Sequence, residues 1–125
     1  MDKQTFIGKL NEAQDLMKNE KYKEAIILLE KLSEIEKKNE DFEYSLSHKL
    51  YQLISNSNSL YNQEIILEHI KKISIKQNSL SIHELHLSLK ENDFKIDESV
   101  LGKEIELLIL RDLLPCKKEG DKIIF

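Results

Sequence analysis

Strong helix breakers are almost missing from the first hundred residues. The chain holds three glycines and one proline, and apart from Gly8 they all lie after residue 101. A backbone with so few positions of special φ favours helices joined by Asn- and Ser-rich turns. Apolar spacing divides this stretch into four expected helices. The first, residues 3–19, carries Phe6, Ile7, Leu10, Ala13, Leu16 and Met17 at helical intervals. The second, residues 22–38, carries Ala25, Leu28, Leu29, Leu32 and Ile35, and Ile26 and Ile27 widen the stripe. A stripe that wide suits a helix lying between two neighbours. Only Glu20-Lys21 separates the two, so they should form an antiparallel hairpin.

A polar break at residues 38–41 precedes a third helix, residues 42–55, with Phe42, Leu46, Leu50, Leu53 and Ile54. The uncharged run Ser55-Asn56-Ser57-Asn58-Ser59 reads as a loop. A fourth helix, residues 63–76, shows Ile65, Ile66, Leu67, Ile70 and Ile73. Two regions sharing one chain are expected, residues 1–58 and residues 59–125.

Beyond residue 79 the signals change. Ser81-Ile82-His83-Glu84 is a capping box, in which the Ser81 side chain accepts from the Glu84 amide and the Glu84 side chain reaches back. A short helix should follow to residue 91, with Ile82, Leu85 and Leu89 inward, and Asn92-Asp93 should break it. Asp97 can cap a second helix over residues 98–112. Pro115 ends that helix and leads into an extended run, residues 114–118. Glu119-Gly120-Asp121 is a tight turn, and residues 122–125 are a β-prone return strand.

The order helix, turn, helix, β-hairpin resembles a winged helix. The first two helices resemble a tetratricopeptide-type repeat through Ala13, Leu16, Tyr22, Ala25 and Leu29. Glu20 stands where that family usually has its turn glycine, and Lys37 where it often has proline. A repeat-like helical layer running into a C-terminal winged helix is similar to the PCI domain, found in subunits of the proteasome lid, the COP9 signalosome and translation initiation factor 3. Leu113-Leu114-Pro115-Cys116, followed by a hairpin ending in Ile123-Ile124-Phe125, resembles that family's helix-then-wing finish. The resemblance implies a mainly α fold: a helical hairpin layer packed on a winged helix with a small β-hairpin wing. It also implies scaffolding through protein contacts, and it brings no catalytic residues.

The second helix of the helix-turn-helix, the one that would read DNA, decides between two functions. Residues 97–112 set Lys103 and Arg111 against Asp97, Glu98, Glu104, Glu106 and Asp112, a net charge of -3. Phosphate would repel such a helix. Its end is leucine-rich, and Leu107, Leu110 and Leu114, with Phe125, are the candidate partner-binding residues. The expected function is a non-catalytic protein-interaction or assembly module, with homodimerisation through an exposed wing strand as one route. The alternative is a winged-helix DNA-binding transcriptional regulator that uses Lys103, Lys117, Lys118 and Lys122.

Other chemistry is sparse. His83 and His86 lie three apart on one helix, within reach of a shared metal, but the sequence offers no third ligand and no metal site is expected. Cys116 is the only cysteine, which rules out an intramolecular disulfide, and at a strand start it reads as a small buried hydrophobe. Without a glycine-rich phosphate loop or a catalytic constellation, neither an enzyme nor a cofactor nor a small-molecule substrate is expected. The formal net charge of -4 argues mildly against phosphate binding as the main task. The start of the chain lacks a signal-peptide core and no apolar run is long enough to span a membrane, so a cytoplasmic location is expected.

Overall fold

The computed structural model describes residues 1–39 and 42–125. Among these, five helices and a three-stranded antiparallel sheet make a mainly helical chain: α1 (Lys3–Lys18), α2 (Tyr22–Lys37), α3 (Tyr44–Ser74), β1 (Ser79–Ser81), α4 (Ile82–Glu91), α5 (Glu98–Leu110), β2 (Lys117–Glu119) and β3 (Lys122–Ile124). Contacts divide it into two compact units, Met1–Tyr61 and Asn62–Phe125. No described helix is long and apolar enough to cross a membrane.

In the first unit, Asp2 starts α1 by accepting from the Thr5 amide at 2.7 Å. That bond holds the exposed Asp2 carboxyl below its ordinary range. Buried Ala13 and Ala25 have side chains small enough to let helices approach closely, and Phe6, Leu10, Leu29, Leu32, Leu50 and Leu53 fill the core. Phe42 meets Phe6 edge to face, with ring centroids 4.6 Å apart. Glu20 ends α1 at φ 60, while Glu20 N donates to Met17 O and Lys21 N to Leu16 O. These two bonds are the Schellman pattern, which normally recruits glycine for its left-handed residue.

The expected loop at residues 55–59 is helix: α3 runs unbroken from Tyr44 to Ser74. Neither glycine nor proline interrupts this span. Ser and Asn each cost only about 0.5 kcal/mol against alanine in a helix, less than burial of one leucine returns. Ser57 shares a stripe with Leu50 and Leu53, is itself buried, and donates its hydroxyl to the Ile54 carbonyl at 3.1 Å. The division between units, at Tyr61 and Asn62, therefore falls inside a helix and not at the expected loop of residues 55–59. Of the expected polar break, Glu40 and Asp41 lie outside the described residues.

In the second unit, the last part of α3, α4 and α5 enclose a core of Ile66, Ile70, Leu80, Ile82, Leu85, Leu89, Leu101, Ile105, Leu108, Leu114 and Ile123. Ser81 caps α4 by accepting from Glu84 N at 3.0 Å, and its hydroxyl donates to the Glu84 carboxylate at 3.1 Å. Asp97 caps α5 by accepting from Ser99 N at 2.9 Å. Both helices end as α1 does, with Asp93 (φ 62) and Asp112 (φ 57) in the left-handed region. Phe94 N reaches back to Leu89 O, and Leu113 N to Leu108 O.

The sheet order is β1-β3-β2. Ser79, Leu80 and Ser81 pair with Ile124, Ile123 and Lys122, which in turn face Lys117, Lys118 and Glu119. Strand β1 is an addition to the expected hairpin. It also makes β3, the strand that leads to Phe125, central with both edges paired, and leaves β2 as the outer strand of the expected wing. Phe125 N extends this pairing by donating to Asn78 O at 3.0 Å.

Candidate protein-interaction surface on helix α5

Helix α5 has two unlike faces. Leu101, Glu104, Ile105 and Leu108 point inward. Val100, Lys103, Leu107 and Leu110 follow at i, i+3, i+7 and i+10, so they share one exposed stripe beside that inward face. Leu107 is 42% exposed and Leu110 79% exposed. Leu113, in the turn that follows, is exposed as well. A partner that covered Leu110 completely would bring about 1.5–3 kcal/mol of apolar burial from that side chain.

The other expected contact residues lie elsewhere. Leu114 is only 5% exposed and packs in the core of the second unit, so it is no surface residue. The turn after α5 folds back through the Leu113 N to Leu108 O bond and draws Leu114 inward. Phe125 is half-buried against the same core. A cleft of about 180 Å³ opens between the end of α3, the turn at Leu113 to Pro115, and Phe125.

Charge on α5 is less simple than the sequence count. Glu104 faces inward, is buried, and accepts from Gln63 Nε2 at 2.8 Å. Arg111 donates in turn to the Gln63 side-chain oxygen. This polar chain runs from buried Glu104 and Gln63 to exposed Arg111 and links α3 to α5, and it was hidden from sequence reading because nothing marks which glutamate of a helix turns inward. The solvent side keeps Asp97, Glu98, Glu106 and Asp112 against Lys103 and Arg111.

The four lysines of the nucleic-acid alternative do not gather. Lys118 Nζ lies 2.7 Å from Glu106 Oε1 and is half-buried. The hydrogen bond from Lys118, then its charge, hold the Glu106 carboxyl below its usual value. Lys117 and Lys122 are exposed on the other face of the hairpin, with Glu119 paired to Lys122. Lys103 sits within the leucine stripe of α5.

The remaining single residues carry less. Burial raises the Cys116 thiol above its ordinary value, away from a reactive thiolate. Burial lowers the His69 imidazole, whose Nε2 lies 2.8 Å from Ser88 Oγ. Comparison with family models, curated proteins and solved structures gives no significant match to this chain.

Proposed function

We propose that the second unit is a winged helix, with α4 and α5 as its helix-turn-helix and β2–β3 as its wing. On this reading the chain is a non-catalytic protein-binding module of PCI-like type, and the hairpin of α1 and α2 is its repeat-like layer. The observation that carries the reading is the solvent stripe of α5. The helix that would enter a DNA groove offers Val100, Leu107 and Leu110 with only Lys103 among them, where a reader of bases needs several of Arg, Lys, Asn or Gln. Two further facts support it: Glu106 already engages Lys118, and the remaining hairpin lysines are interleaved with Glu119.

The test pairs two measurements on the full chain. Leu107→Asp with Leu110→Asp should abolish association, in cells and in sedimentation, while helicity by circular dichroism stays intact. Fluorescence anisotropy with labelled duplex DNA and single-stranded RNA should stay flat at physiological salt. Salt-sensitive binding tighter than about 1 µM would exceed ordinary non-specific affinity and transfer the function to nucleic acid. Unfolding by either aspartate would return the stripe to the core.

A further inference from the structure

The start of α5 brings a third donor to the histidine pair of α4. His83 Nδ1 lies 2.7 Å from Glu98 Oε1, and His86 Nδ1 lies 3.7 Å from the same oxygen. One ligand atom from each of the three residues lies within 4.8 Å of the other two. His86 Nδ1 is buried and has no hydrogen-bond partner. A buried ring nitrogen left unbonded is costly, and the Glu98 carboxylate stands just beyond hydrogen-bond range of it. The unsatisfied nitrogen and the shared oxygen both point to a ligand that belongs between them.

We propose that His83, His86 and Glu98 form a site for one divalent transition-metal ion of the zinc type. Bonds of about 2.0–2.1 Å to nitrogen and oxygen set tetrahedral ligand atoms about 3.3 Å apart. The separations of 2.7 and 3.7 Å from Glu98 Oε1 to the two histidines bracket that value, and the exposed side chains of His83 and Glu98 have room to draw in around an ion. Two imidazoles and one carboxylate suit zinc, nickel or copper ahead of magnesium or calcium. Because α4 and α5 both begin here, their dipoles oppose a cation. The carboxylates of Asp97 and Glu98 offset that field. Three protein ligands leave a position for water. Such an ion would clamp the first turns of α4 to the first residue of α5, so it would stabilise the native state in proportion to its occupancy.

The probe is zinc chloride titrated into the full chain against a chromophoric chelator, with thermal unfolding and histidine ring ¹⁵N shifts recorded in parallel. One zinc per chain is expected, with a melting temperature that rises with zinc and not with magnesium. Glu98→Gln, and separately His83→Ala, should each weaken binding by more than the roughly 10- to 100-fold that outer-shell partners carry. Both substitutions are at exposed positions, which keeps the fold intact where His86→Ala would disturb a half-buried ring. His48→Gln and His69→Gln should leave affinity unchanged. Zinc affinity that survives the combined His83→Ala and Glu98→Gln change would overturn the site. So would ring shifts confined to His48 and His69, or zinc binding no tighter than magnesium.

Discussion

Glu106 Oε1 on α5 and Lys118 Nζ on β2 stand 2.7 Å apart, so the acidic helix neutralises one lysine of the neighbouring hairpin. Lys118 depresses the Glu106 carboxyl, and a depressed folded-state value fixes the sign of the pH effect. The stabilisation is present above the unfolded value of 4.5 and is lost as pH falls through the lower folded value. Replacing Lys118→Met should let the Glu106 titration move up towards its ordinary value, with little change in stability at neutral pH because the carboxylate is exposed. A carboxyl ¹³C titration reads this directly. A Glu106 curve that does not move would show that the pair exerts no hold in solution.

The continuity of α3 has an equally direct test. Asn58 is exposed, so a proline there would be harmless if residues 55–59 were a loop. In an unbroken helix the same proline removes a backbone hydrogen bond and clashes with the preceding turn. Asn58→Pro should therefore cost about 3 kcal/mol or more, while Asn58→Ala should cost nothing. Denaturant midpoints for the two variants decide the matter.

Three helices end on an acidic residue in the left-handed region: Glu20, Asp93 and Asp112. An L-residue pays about 1–2 kcal/mol there, although Asp tolerates the region better than Glu. A negative side chain also faces the negative end of the helix dipole. Glu20→Gly should stabilise the chain by about 0.5–1 kcal/mol after the added freedom of the unfolded glycine is counted. Asp93→Gly should give less. Chemical denaturation of the two variants tests the ranking, and a destabilised Glu20→Gly would mean that its side chain holds the turn in some other way.

Much of the helical pattern was legible because caps and apolar stripes are local signals. Ser81 and Asp97 mark the starts of α4 and α5, and Ala13 and Ala25 mark the close approach in the first unit. The sequence failed where a local preference was overruled by packing. Ser57 looked like loop chemistry, yet burial on the stripe of Leu50 and Leu53 kept it helical. Strand β1 spans only three residues, and Leu80 between two serines is too brief a period to count. Glu104 and Glu98 were read as surface charge. Their partners, Gln63 on one side and the histidines on the other, sit on different elements, and one-dimensional spacing cannot bring them together.

The central position of β3 also fixes an order of events. The turn joining α1 and α2 closes within its own neighbourhood, so that hairpin can nucleate early. Strand β1 has to wait, because Ser81 pairs with Lys122 across the whole span of α4 and α5. Closing so long a segment carries an entropy cost before any ladder bond forms in return. The second unit should therefore gain its helices first and its sheet last, and its slowest folding phase should be the arrival of three residues, Lys122–Ile124.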